Sequence, residues 1–331
     1  MRSYTMKNWK LDGRKIYRII LIIGLFTFIT TFIYYTVESE NNITNRMDQL
    51  VSTVVKPPET QEDIIVEYRD ELILIKDSQE VHEGDLILVN NQVPYHFPSK
   101  TRVSSVFYNK GEGYKVRDKD ILLSKNTTNA LNHMLNDFST LYKNDDVTVV
   151  SGYRTYEYQI EVFKSKVSLV GEKKASIWAA APGGSEHHTG LAFDLSIYTD
   201  NGENIVYDGT GDYSWINENC YQYGLILRYP EGKTDITRIQ YEPWHFRYVG
   251  LPHAYFMTQN GMALEEYIEF LKGFKFDGVH VEVMVGDDVY EIYYQPATKE
   301  KTAIPIPKNC KGYEISGNNI DGFIVTLKYS K

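Results

Sequence analysis

Residues 19–37 carry no charge. A chain with such a run must bury it in a core, lose it as a leader, or pass it through a lipid bilayer. As a helix rising about 1.5 Å per residue, the run spans most of a roughly 30 Å hydrocarbon core. Its Phe, Ile, Thr and Tyr residues cover every helical face without a polar stripe, which argues against a core helix. It is longer than a usual signal core, and no small-x-small cleavage site follows Val37, which argues against a leader. Lys7, Lys10, Arg14, Lys15 and Arg18 precede it and Glu38 and Glu40 come after it. The positive-inside bias therefore predicts a cytoplasmic 1–18, a transmembrane anchor at 19–37, and everything beyond on the outer side of the cell membrane. Residues 1–18 are too few for a cytoplasmic signalling domain, which disfavours a membrane-tethered sensor.

Residues 38–62 are polar and contain Pro57-Pro58, which reads as an extracytoplasmic linker. The remainder of the chain has to be globular: the sequence is 42% hydrophobic and 24% charged, enough apolar residue for a sizeable core. A net charge of −9 and a pI near 5.5 exclude nucleic acid as a partner, because displacing counterions from phosphates needs a basic surface. Cys220 and Cys310 share no metal-binding spacing and suggest no disulfide framework, although one bridge between them is open. Strands are predicted at 64–68, 86–89, 147–150 and 225–229 from β-branched and alternating runs bounded by turn residues. Helical periodicity predicts helices at 127–142, 156–169, 212–223 and 264–274. Beyond residue 274 the alternation of Val279, Val281, Val283 and Val285 breaks at Gly286-Asp287-Asp288, the sign of hairpins. The expected architecture is α+β: a main domain at 63–274 with a small, mostly antiparallel sheet flanked by helices, then a β-rich appendix at 275–331.

Three segments carry chemistry. In Gly183–Leu195 a His and an Asp stand on either side of a glycine turn into a strand, and in Tyr241–Tyr248 a Glu precedes a His by three residues next to a proline. A hydrolytic zinc ion takes three N/O ligands and keeps one position for water, whose pKa falls to about 7. His187, Asp194 and His245 meet that requirement, with one zinc ion per chain. Glu242 is left as the general base that takes the water's proton and passes it to a leaving amine. Ser151-Gly152-Tyr153-Arg154 places a guanidinium at a strand end, where it can stabilise an oxyanion. Any one of these residues alone has a plainer explanation as a turn cap, a surface histidine or a structural ion pair, and only the spaced set argues for a site. His188, beside His187, is expected to pack or to support rather than ligate. His82, His96, His133, His253 and His280 stand in no comparable setting. Residue types at this level leave an amide, an ester and a deaminated base all open as the target.

These segments resemble the VanY/VanX-type zinc D-Ala-D-Ala peptidases, whose motifs are S-G-Y-R with a later Gln, S-x-H-x-x-G-x-A-x-D, and E-P-W-H. All three occur here in order, ending at Gln159, Asp194 and His245. The segments 224–231, 247–253 and 313–322 look like the membrane-anchored VanY members rather than the VanX dipeptidases. The resemblance implies zinc on His187, Asp194 and His245, Glu242 as base, Arg154 near the scissile carbonyl, and Ser185 and Gln159 in the substrate subsite. It further implies removal of terminal D-Ala from peptidoglycan stems or lipid-linked precursors at a Gram-positive cell membrane, and through that a part in glycopeptide (vancomycin) resistance. An L,D-carboxypeptidase acting on tetrapeptide stems and a non-catalytic cell-wall-binding module are the competing functions. No obligate protein partner is legible.

Overall fold

The structure is a computed structural model that describes residues 64–68 and 70–330. The expected cytoplasmic segment 1–18, membrane span 19–37 and linker 38–62 lie outside the described residues. Among the described residues no helix is long and apolar enough to cross a membrane. They belong to one compact unit, Asp63–Lys331.

The unit opens with the antiparallel pair β1 (Ile64–Tyr68) and β2 (Glu71–Asp77). The central sheet begins with the two-residue strand β3 (Lys115–Val116), which lies parallel to β4 (Val147–Ser151). Between them runs α1 (Lys125–Tyr142), whose N-terminus is capped by Ser124 Oγ accepting from Thr127 N at 3.2 Å. Leu131, Met134, Leu135 and Phe138 recur at helical spacing on α1 and are fully buried, each stabilising the fold by about 1.5–3 kcal/mol through removal of apolar surface from water. After β4 come α2 (Tyr156–Val170), capped by Thr155, and α3 (Glu172–Trp178). The rest of the sheet is antiparallel: β5 (Ala192–Tyr198), β6 (Asn204–Val206), β7 (Leu225–Leu227) and β8 (His245–Tyr248). Its order is β3-β4-β5-β8-β7, with β6 added on β5. The small, mostly antiparallel sheet flanked by helices is thus present.

Two further helices, α4 (Leu251–Gln259) and α5 (Leu264–Leu271), lead into β9 (Val281–Val285), β10 (Asp288–Pro296), β11 (Lys301–Pro307), β12 (Gly312–Gly317) and β13 (Gly322–Ser330). Four of these form an antiparallel sheet in the order β9-β10-β13-β12, while β11 leaves it to pair with β2. Leu264, Tyr267, Ile268 and Leu271 of α5 share one core with Val281, Val283, Ile292 and Ile324 of this sheet. The region expected as a β-rich appendix therefore packs directly on the last helices of the preceding region.

Several expected bounds are corrected. Helix 264–274 stops at Leu271, strand 225–229 at Leu227, and helix 212–223 is a six-residue α-helix, Ser214–Asn219, between two 3-10 turns. Val279 stands outside the strand and is exposed. Residues 86–89 are not a strand, although all four side chains are buried. Their backbone groups are taken up singly: Leu86 N donates to Ser316 Oγ (2.9 Å), Leu88 N to Asn318 O (3.2 Å), and Leu88 O accepts from Asn319 Nδ2 (2.8 Å). A buried apolar run needs its amides satisfied, and irregular partners meet that need as well as a ladder does. Cys220 and Cys310 are both free.

Candidate functional site

The site forms where β5 and β8 lie side by side. Asp194 on β5 is the direct cross-strand neighbour of His245 at the start of β8, and both side chains emerge on the same face of the sheet. His187 arrives from the preceding 3-10 turn, Glu186–Thr189, which closes at Gly190 with φ +73°. A Cβ at Gly190 would also stand 2.5 Å from Val103 Cγ1, so the turn into β5 requires glycine there. Because His187 and His188 sit on a tight turn rather than an extended segment, their rings diverge. His188 uses Nδ1 on Arg154 O (2.7 Å), and its Nε2 accepts from Gly183 N (3.2 Å). Both nitrogens are thus occupied, and His188 is a packing residue as expected.

Potential ligand atoms of His187, Asp194 and His245 all lie within 4.8 Å of one another. His187 Nδ1 is engaged by Gly152 O at 2.7 Å, which makes it the N–H of a neutral ring and leaves Nε2, 3.3 Å from Asp194 Oδ2, with a free lone pair. His245 Nδ1 lies 2.9 Å from Asp194 Oδ1. Donor atoms at about 2.0–2.1 Å from a tetrahedral zinc stand roughly 3.3 Å apart, so little movement separates this arrangement from a coordination shell. Two imidazole nitrogens and a carboxylate oxygen are a donor set that suits zinc and leaves a fourth position for water.

The electrostatics of the site arise from burial and charge. Burial pushes His187 down to about 4, reinforced by Arg154 and opposed by Asp194. Burial would also lower His245, but the carboxylates of Asp194, Glu186 and Glu242 beside it override this and raise it to about 9. Burial would raise Asp194, yet His187 and His245 hold it well below the ordinary carboxylate range. Glu242 Oε2 lies 3.9 Å from His245 Nδ1. Burial, with Asp194 nearby, pushes the Glu242 carboxyl up to about 7, against the pull of His245 and Arg154. That range suits proton transfer near neutral pH.

Arg154 comes after β4 at a point where Gly152 passes so close to Leu122 O that a Cβ would meet it at 2.5 Å. Its Nη2 donates to Asp194 Oδ2 (2.8 Å) and Ser151 Oγ (2.7 Å), and its Nη1 to Gln159 Oε1 (3.4 Å). Gln159 is buried, with Nε2 on Ala180 O at 2.8 Å, so both ends of its amide are engaged and it stands behind Arg154. Ser185 is buried at the start of the turn that carries His187.

Four residues at the site escaped sequence reasoning. Glu186, Arg228 and Arg247 have fully buried side chains, and Glu265 on α5 is largely covered. Glu186 Oε1 accepts from Arg228 Nε and Arg247 Nη1, each at 2.7 Å, and Arg228 also forks onto Glu265 at 2.9 and 2.7 Å. The spacings between these partners, from 37 to 61 residues, match no local pattern. The one available signal was the presence of charged residues inside otherwise apolar strands, such as Arg228 after Leu225–Leu227 and Arg247 within β8.

Comparison with known proteins agrees with this geometry. The family model described as "VanY: D-alanyl-D-alanine carboxypeptidase" matches residues 120–251, the stretch that supplies all three potential ligands, Glu242 and Arg154. A D-alanyl-D-alanine carboxypeptidase of Enterococcus faecium is 38% identical over 255 residues, covering 75% of this chain and 77% of the relative. One from Enterococcus faecalis is 36% identical over 208 residues, covering 60% and 70%. Among solved structures, the vancomycin resistance D,D-dipeptidase VanXYg, in complex with a D-Ala-D-Ala phosphinate analog, superposes with a TM-score of 0.70 at 34% identity, over 78% of this chain and 98% of that one. With 38% identity spread over three quarters of a relative and a family model that spans the segments building the site, the chain belongs to the VanY family of D-alanyl-D-alanine carboxypeptidases.

Proposed function

We propose that the chain is a zinc-dependent D,D-carboxypeptidase that removes the terminal D-Ala from peptidoglycan stem peptides ending in D-Ala-D-Ala. The observation that carries this reading is the convergence of His187, Asp194 and His245 within 4.8 Å, with Glu242 beside them, in a chain whose relatives are D-alanyl-D-alanine carboxypeptidases. His187 Nε2, Asp194 and His245 Nδ1 would hold one zinc ion, which when bound acidifies a water and polarises the scissile carbonyl. Glu242 takes the proton of that water as its oxygen adds to the carbonyl carbon, then delivers the proton to the amine nitrogen as the C–N bond breaks and free D-alanine leaves. Arg154, fixed by Ser151 and Gln159, offers positive charge to the oxyanion that develops. Ser185, at the start of the turn that carries His187, is assigned to the substrate subsite, and Gln159 acts through Arg154.

The uncharged run 19–37 and its flanking charges support a membrane anchor that places this chemistry outside the cell, where stem peptides are exposed. Loss of the terminal D-Ala removes the dipeptide that glycopeptides bind, so expression is expected to lower vancomycin susceptibility. The test of substrate class is D-alanine release from pentapeptide and tetrapeptide stems in parallel. Faster release from the pentapeptide supports the D,D reading, whereas release confined to the tetrapeptide replaces it with an L,D-carboxypeptidase.

A further inference from the structure

Among the described residues, two buried polar atoms with no hydrogen-bond partner face each other: His245 Nε2 and Glu186 Oε2, 3.5 Å apart. The rest of the Glu186 carboxylate is fully committed. Its Oε1 is shared by Arg228 and Arg247, and both arginines are anchored in turn. Arg247 donates from Nη2 to Asp85 O and Ile87 O, each at 2.9 Å, and from Nε to Tyr248 O at 2.9 Å. Arg228 is held by Glu265. With Oε1 fixed on one side, Oε2 can only be presented toward the His245 ring. A buried ion group of this kind is costly to desolvate unless every member is satisfied, and Oε2 is the one oxygen in it left for His245.

We infer that Glu186 is a positioning residue for the metal centre, accepting a hydrogen bond from His245 Nε2–H and so fixing that ring in the tautomer whose Nδ1 lone pair faces Asp194 and the metal. The inference rests on the proposed function, in which His245 ligates zinc. A neutral histidine carries one proton, and whichever nitrogen carries it cannot ligate. Ligating histidines generally pass their remaining N–H to a carboxylate or carbonyl, which sets ring orientation and basicity. The two ligand histidines are then held in opposite senses. Gly152 O fixes His187 with its proton on Nδ1, and Glu186 fixes His245 with its proton on Nε2. One turn thus supplies both a ligand, His187, and the support for the other, because Glu186 is its immediate neighbour.

The competing explanation is that Glu186 only neutralises two buried arginines. Zinc affinity measured by chelator competition on the full chain separates the two, with thermal unfolding of the ion-free forms recorded alongside. Glu186→Ala is expected to weaken zinc binding at the upper end of about 10–100-fold, and Glu186→Gln less, because an amide oxygen still accepts from Nε2–H. Variants that melt earlier but bind zinc as tightly as the wild type would overturn the inference in favour of charge neutralisation. Since either variant can fail to fold, the second measurement needs none: NMR of the zinc-loaded wild type with isotope-labelled histidine nitrogens. One ligand histidine bound through Nε2 and the other through Nδ1 is the expected result. Two ligand histidines in the same tautomer would overturn the inference and leave the proposed function standing, while a wild type that binds no zinc would overturn both.

Discussion

At the scale of single residues, Glu242 and His253 show how burial can serve opposite ends. Burial holds Glu242 near 7, where it can both accept and return a proton; Glu242→Gln keeps the shape and removes the base. This variant is expected to retain zinc affinity while losing about 10²–10⁴-fold in kcat, and undiminished turnover would remove Glu242 from the mechanism. A cation beside a carboxylate favours its ionised form, so the acid limb of kcat/KM should fall at or below about pH 7, and a limb above about pH 8 would contradict the assignment. His253 does no chemistry. It is buried between Tyr267 OH (2.8 Å) and Thr326 Oγ1 (3.0 Å), and burial lowers it to about 3. Below about pH 6.5 the unfolded chain gains a proton that the folded chain refuses, so this residue's contribution to stability is lost as pH falls from about 6.5 toward 3, by up to about 1.4 kcal/mol per pH unit. Denaturant midpoints of wild type and His253→Gln between pH 4 and 7 test this: the variant's profile should be flatter, and parallel profiles would refute it. The difference in legibility between residues is physical. His187, Asp194, Glu242 and His245 could be singled out because spacing along two short segments fixes their relation. Glu186 lay inside one of those segments and stayed invisible, since only the folded chain brings Arg228 and Arg247 to it.

At the scale of elements, alternation and helical period found the strands at 64–68 and 147–150 and the helices at 127–142 and 156–169 because burial of one face leaves that signature, while β2, β8 and α4 (Leu251–Gln259) went unassigned. The failure at 86–89 has a definite cause: a run of buried apolar residues looks the same whether its amides meet a strand or a set of side chains. Asn319 is central to that set. Its Nδ2 donates to Leu88 O and Pro94 O at 2.8 and 3.0 Å, its Oδ1 meets His82 Nδ1 at 2.8 Å, and its backbone has φ +66°. Asn319→Ala leaves the buried Leu88 carbonyl unpaired in a conformation that alanine disfavours. The expected loss is about 2–4 kcal/mol in chemical denaturation, and a loss under about 0.5 kcal/mol would show that the segment is held by its apolar contacts alone. Gly152→Ala is expected to be damaging in a different way, since its Cβ would displace Leu122 O or the Gly152–Arg154 strand end that orients His187 and Arg154.

At the scale of the molecule, the hairpin β12–β13, the segment 85–89, Arg247, Glu186 and His245 form one continuous series of hydrogen bonds and close contacts from the C-terminal sheet to the candidate metal site. Dependence of hydrolysis on zinc held by His187, Asp194 and His245 is the centre of the proposed function. It is tested most directly by stripping the purified chain with chelator and titrating zinc back while D-alanine release from a pentapeptide stem is monitored. Release is expected to disappear on stripping and to return in proportion to added zinc, saturating at one equivalent per chain, and His245→Ala is expected neither to bind zinc tightly nor to recover. Release that survives complete removal of the metal, or zinc bound stoichiometrically with no release, would contradict that dependence.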